Sequence, residues 1–223
     1  MHTATRNWWN RENRPYDLTE LRADAIVHLV GLVISIAMGA LLFRFAMSEP
    51  SRFNTWHIGL YVGSLIAVLT ISMVFNQWPS TPFKMHLARL DQASIFLFMA
   101  GTYTPFLALL TKTPAGPTMM TIVWGVAVLG IALKLLVPHR FGRIAIALYL
   151  AIGWSGLIVF RDLALYVPDN ALSLLFAGGL SYTLGIIFHL WERLRFQNAL
   201  WHLAVVIGAS LHLWAVLETV IRK

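Results

Sequence analysis

Seven stretches of 17 to 20 almost uninterrupted apolar residues follow one another along this chain, and no other feature restricts its fold as tightly. They run Ala25–Phe43, Ile58–Phe75, Gln92–Thr111, Pro117–Leu133, Ile144–Phe160, Asn170–Phe188 and Ala199–Leu217. A helix rising 1.5 Å per residue needs about 20 apolar residues to cross the hydrocarbon of a bilayer. Inside lipid a helix satisfies its own backbone N–H and C=O groups, which an open strand or loop does not. Only 12% of the residues are charged and 58% are hydrophobic. A water-facing domain carries about a quarter charged residues. The expected fold is therefore an all-α, seven-transmembrane helix bundle.

Short breaks separate the stretches: 48–52, 79–89, 112–116, 138–143, 161–169 and 192–197. Such connections make consecutive helices antiparallel neighbours in one bundle. Residues 1–22 read as a tail and 23–223 as a single membrane domain, without internal repeat or low-complexity tract. The tail holds Arg6, Arg11, Arg14 and Arg22 but no apolar run, so the first membrane helix is expected to serve as the insertion signal. Trp8, Trp9, Trp56, Trp78 and Trp191 fall near helix ends, where interfacial anchors belong.

The net charge of +7 and a pI near 10.1 raise nucleic acid as a partner. The basic residues are spread among the breaks instead of forming one stripe, which suits anionic lipid headgroups. Membrane lipids are the expected partners, with no nucleic acid. The tail and the second–third, fourth–fifth and sixth–seventh breaks, Lys134 included, hold 11 Lys and Arg, against 6 on the other side. Positive charge stays inside, so the N-terminus is expected in the cytoplasm and the C-terminus outside. With no cysteine, thiolate metal sites and disulfides are excluded, leaving His, Asp and Glu as ligands.

Ionisable groups within membrane helices are costly and mark functional positions. Here they cluster. Asp24 and His28 open the first helix, Ser72 and Asn76 end the second, Asp91 opens the third, and Asn198 and His202 open the seventh. Three of these are i, i+4 pairs, each on one helix face. Starts of odd helices and ends of even ones share a side of the membrane, so one polar pocket in the cytoplasmic leaflet is expected to collect them. His189 ends the sixth helix on that side, where joining the pocket and snorkelling to the interface both stay open. His57, His86 and His139 read as solvated loop residues. His212, nearly three turns beyond His202, reads as a buried hydrogen-bonded or supporting group. No His-Glu-x-x-His, serine-nucleophile elbow or phosphate loop occurs.

Asp91-Gln-Ala-Ser-Ile95 followed by Ala100-Gly-Thr-Tyr-Thr-Pro-Phe106 resembles the third-helix signature of the hemolysin III proteins, the bacterial branch of the progestin and adipoQ receptor (PAQR) family. Glu20 to His28 with Leu29-Val30-Gly31, Ser72-Met-Val-Phe-Asn76, and Asn198-Ala-Leu-Trp-His202 extend the likeness over the chain beyond its tail. The resemblance implies seven helices, a cytoplasmic N-terminus and a bacterial inner-membrane location. It also implies a zinc ion held by a Ser-x-x-x-His histidine ending the second helix and a His-x-x-x-His pair opening the seventh, with an Asp opening the third holding the metal-bound water.

Asp91 matches that Asp, Ser72 the motif serine and His202 the second histidine of the pair. Asn76 and Asn198 stand at the other two ligand positions, and Asp24 replaces the Asn common in the first helix. An amide oxygen suits harder cations, so zinc should bind more weakly by several orders of magnitude. Three arrangements follow: a metal-free hydrogen-bonded pocket, a site recruiting His28, His189 or Asp24, or a harder ion. The leading expectation is a protein that acts on or senses membrane lipid. With a metal, it would hydrolyse a lipid amide or ester, Asp91 placing water, His202 binding metal and Ser72 stabilising the oxyanion. The rivals are a non-catalytic lipid-binding or membrane-homeostasis protein, and a pore.

Overall fold

The residues Asp17-Leu18-Thr19-Glu20 open the first helix with a reciprocal cap. The Asp17 carboxylate accepts the backbone N–H of Thr19 at 2.8 Å and of Glu20 at 2.9 Å, and Glu20 Oε2 accepts the N–H of Asp17 at 3.1 Å. The Thr19 hydroxyl bonds the same carboxylate, and this bond leads the causes holding the Asp17 carboxyl below its ordinary range. From there the helix runs far past its apolar core, because nothing before Ser48 breaks it.

The computed structural model describes residues 16–48, 54–137 and 142–221. In order come α1 (Leu18–Ser48), α2 (Thr55–Gln77), α3 (Lys84–Leu107), a 3₁₀ turn (Ala108–Leu110), α4 (Ala115–Leu136) and α5 (Gly142–Trp154). A 3₁₀ segment (Ser155–Val159), the single turn α6 (Phe160–Leu163), α7 (Asp169–Leu190) and α8 (Gln197–Ile221) complete the chain. Seven spans among the described residues are long and apolar enough to cross a membrane, α5 to α6 counting as one, and there is no strand among them. The side chains of Leu18, Val33, Ile122, Leu136, Ile158 and Leu165 are among the many apolar groups on the outer surface, as lipid contact requires.

α1 packs on α2 and α8, α2 on α3, α3 on α4, and α7 on α8. Small residues set these distances, as in membrane bundles generally. A Cβ at Gly31 would lie 2.7 Å from Val206, and one at Gly39 would lie 2.6 Å from Val62. The fifth span stands off, touching α3 and α7 at few points. Tyr103 pins its irregular turn by donating to the Ile152 carbonyl at 2.7 Å and accepting the Gly156 N–H at 2.8 Å.

Several sequence readings change. His57 and His86 lie within α2 and α3, because helical hydrogen bonding continues beyond the apolar stretches; His86 is exposed and His57 half-buried. Lys134 is buried in the last turn of α4, and its Nζ donates to Gln92 Oε1 at 2.9 Å, so this lysine is not a loop charge facing headgroups. Trp56, Trp78 and Trp191 are exposed at helix ends, as expected. Trp8, Trp9, His139 and residues 1–15 of the tail lie outside the described residues; α1 itself begins at Leu18.

Candidate functional site

α1, α2 and α8 meet at a polar knot. Asp24 is 1% exposed and His28 not at all, so both face the bundle rather than lipid. His202 Nδ1 lies 2.5 Å from Asp24 Oδ1, joining residues 178 apart in sequence. Its other nitrogen, Nε2, lies 3.2 Å from Ser72 Oγ. A carboxylate only accepts, so Nδ1 of a neutral His202 carries the proton and Nε2 accepts the Ser72 hydroxyl. Asn76 Nδ2 lies 3.3 Å from the same Ser72 Oγ and donates to the Ser72 carbonyl at 2.8 Å.

Beneath this row His28 packs its ring on His202, with centroids 4.3 Å apart. His28 Nδ1 donates to the Asp24 carbonyl at 2.9 Å and lies 3.4 Å from Asp24 Oδ2. Its Nε2 is buried without a hydrogen-bond partner. Asp24, His28 and His202 thus offer three metal-ligating atoms within 4.8 Å of one another.

The knot lies beside a cavity of about 340 Å³ between the loosely packed fifth span and the rest of the bundle. Ser72, Asn76, Asp91, Asn198 and His202 line one end, near the close of α2 and the starts of α3 and α8. Phe106, Leu107, Leu163 and Leu172 line the other. Every residue expected in the pocket is therefore at or beside it. His189 also lines the cavity, its ring centroid 5.0 Å from that of Trp201, but it does not join the Asp24 group. His212 reaches the wall further along, its Nε2 donating to the Leu175 carbonyl at 3.1 Å, as expected of a hydrogen-bonded histidine.

Residues outside the expected set hold the end of the pocket together. Glu20, 3% exposed, accepts the Phe196 N–H at 2.8 Å, and Phe196 has a φ of 59°. That left-handed backbone turns the chain into α8. Tyr16 donates to Gln197 Oε1 at 2.7 Å, and Gln197 in turn donates to the His189 carbonyl at 2.9 Å. The start of α1 thereby positions the start of α8 and, one turn on, His202. The only prior signal was Glu20 within the first-helix motif.

The residues do not fit the three-imidazole zinc site that the resemblance implies. Asn198 Nδ2 donates to Asn76 Oδ1 at 2.9 Å, so the two substituted positions bind each other. Both His202 nitrogens have protein partners. Two ligands of one tetrahedral zinc, each about 2.0–2.2 Å from it, sit more than about 3 Å apart. Asp24 Oδ1 and His202 Nδ1 are closer than that, so these two atoms are hydrogen-bonded to each other and are not bridged by a metal.

The family model described as Haemolysin-III related matches residues 18–213. Hemolysin-3 of Bacillus cereus is 32% identical over 195 residues, 87% of this chain and 89% of that protein. The Hemolysin-3 homolog of Bacillus subtilis is 31% identical over 91% of this chain and 95% of its own length. The human monocyte to macrophage differentiation factor is 26% identical over 92% and 86%, supporting the wider PAQR kinship. No solved structure matches. Seven apolar spans and bacterial relatives along nearly their whole length identify a multi-pass bacterial membrane protein, and the chain belongs to the haemolysin-III related family.

Proposed function

We propose that this protein binds a membrane lipid within its bundle, the acyl chain in the apolar part of the cavity and the polar linkage against Ser72, Asn76, Asp91, Asn198 and His202. The cavity carries the reading. Its volume of about 340 Å³ falls among small-molecule sites, and its lining grades from hydrogen-bonding to apolar as an amphiphile does. The gap beside the fifth span is the natural entry, since fewest contacts must part there. Gly179→Phe tests this. A Cβ at Gly179 meets Trp154 no closer than 3.7 Å, so the backbone tolerates the change while the ring fills the cavity. Native mass spectrometry is expected to find co-purified lipid on the wild type and far less on the variant. Equal lipid on both would contradict the reading.

A second reading places a divalent cation such as zinc on Asp24, His28 and His202; the orphaned His28 Nε2 favours it. Elemental analysis of protein purified without chelator separates the two. Substoichiometric metal is expected, and one zinc per chain that is lost in His28→Ala would establish the cation site. A pore is the weakest reading, because the far end of the cavity is lined by the apolar Phe106, Leu107, Leu163 and Leu172.

In this proposal the polar end faces the cytoplasm. The natural chain has no cysteine, so single cysteines report topology cleanly. A membrane-impermeant maleimide is expected to label Lys112→Cys in intact cells but Arg193→Cys only after permeabilisation. Both positions are exposed. The reverse pattern would invert the bundle.

A further inference from the structure

We infer that Ser72, His202 and Asp24 form a metal-free nucleophile–base–orienter row that cleaves an ester or amide bond of the lipid in the cavity, through an acyl-Ser72 intermediate. This rests on the lipid reading above and assigns it a chemistry different from the zinc-bound water that the family resemblance implies.

The geometry carries the assignment. Asp24 Oδ1 stands 2.5 Å from His202 Nδ1, and His202 Nε2 stands 3.2 Å from Ser72 Oγ. This order matters. The carboxylate fixes the tautomer whose free nitrogen faces the hydroxyl, which is the arrangement that lets an imidazole remove the serine proton. Such rows are recognised by geometry and not by sequence order, so the absence of a serine-nucleophile elbow is no objection. The three residues come from α1, α2 and α8, and α1 packs against both of the others. Asp24 is buried away from water, while Ser72 and His202 reach the cavity wall.

The amides at the two substituted positions then acquire a use. An imidazole in place of Asn76 or Asn198 would draw His202 Nε2 toward a shared metal. The Asn76–Asn198 pair instead leaves that nitrogen to Ser72 and holds the Asn76 amide 3.3 Å from Ser72 Oγ. One Asn76 N–H stays on the Ser72 carbonyl at 2.8 Å, and the other, aimed at Oγ, reaches a carbonyl oxygen on the carbon that Oγ attacks, so Asn76 is the donor assigned to the developing oxyanion.

The step balances without a co-reactant beyond water. Ser72 Oγ forms a bond to the lipid carbonyl carbon as its proton passes to His202 Nε2. The carbonyl reforms as the C–O or C–N bond to the leaving group breaks, and His202 returns the proton to that alcohol or amine. Water, deprotonated by the same nitrogen, attacks the acyl-serine and releases a fatty acid and free Ser72 Oγ–H.

The test uses full-length protein in detergent with a long-chain alkyl fluorophosphonate, whose phosphorus takes up Ser Oγ as fluoride leaves. Labelling mapped to Ser72 by peptide mass spectrometry is expected, unchanged by EDTA and absent in Ser72→Ala. His202→Gln should lower the labelling rate by roughly a hundredfold or more, the scale of a lost general base. Asp24→Asn should lower the maximal labelling rate by a similar factor while leaving the probe's half-saturating concentration unchanged, a split that a merely structural defect would not give.

Since the buried variants can lose stability, Ser72→Cys supplies a second measurement. This lone cysteine should be alkylated much faster with His202 present than in the His202→Gln background. No labelling of Ser72 in protein that retains lipid overturns the nucleophile and leaves the lipid reading standing. Labelling abolished by EDTA overturns the metal-free row in favour of a cation. Protein with neither label nor lipid overturns both.

Discussion

His202→Ala is expected to destabilise the bundle by about 3 kcal/mol or more, because it strips the buried Asp24 carboxylate of its donor, and an unsatisfied buried group costs about 1–3 kcal/mol and more when it is charged. The site magnifies the loss. His202 is the shared partner of Asp24 on α1 and Ser72 on α2, so its removal unties three helices at once. Asp24, 1% exposed, would keep His28 Nδ1 at 3.4 Å, and Asp24 Oδ2 already lacks a hydrogen-bond donor. The cost arises from the orphan and not from the lost contact, so it should be non-additive. Asp24→Ala with His202→Ala is expected to cost less than the sum of the single changes by about 1–3 kcal/mol. Reversible unfolding in bicelles measures the cycle. Additive effects would mean that the two side chains do not interact.

Gly130→Leu is the second large effect, and here the cause is steric. A Cβ at Gly130 would stand 2.5 to 2.6 Å from three atoms of the Phe96 ring. That ring is 1% exposed and lies tilted against Tyr149 with centroids 4.8 Å apart, so it has little room to turn. The first added carbon alone should cost about 1–3 kcal/mol, and a leucine more, by forcing α4 from α3. Gly125 on the same helix is the control: a Cβ there meets nothing within 4 Å. Gly125→Ala should be neutral or stabilising by roughly 0.5–1 kcal/mol, because alanine favours the helix. Thermal unfolding in detergent separates them. Equal behaviour of the two variants would contradict the α3–α4 packing.

The seven spans were legible because membrane crossing imposes a length of apolar residues that sequence displays directly. Their ends were not. Lys84, His86 and Arg89 are polar yet helical, since α3 continues past the hydrocarbon-like stretch. Polarity marked them as loop when only their environment changes. Lys134 was misplaced for the opposite reason: its charge pointed to a headgroup-facing loop, and the Gln92 that receives it became a neighbour only through folding.

The polar pocket was legible as a set of residues, because groups so costly in lipid stand out and alternating helix direction puts them at one end. Their partnerships were not. Nothing in spacing says that His202 turns Nδ1 to Asp24 and Nε2 to Ser72, or that Asn76 and Asn198 bind each other. Nor does an isolated Glu20 announce that it caps the left-handed Phe196. These pairings span 122 to 178 residues and exist only once α1, α2 and α8 pack.

The most direct test of the relay beside a lipid-sized cavity is a crystal structure of the full chain grown from a lipid phase, with data on both sides of the zinc absorption edge. Asp24, His202 and Ser72 are expected to be hydrogen-bonded in that order, with acyl-chain density running from them toward Phe106 and Leu163 and no anomalous peak within bonding reach of His202. A metal peak coordinated by His202, or Asp24 and His202 turned apart, would contradict this arrangement.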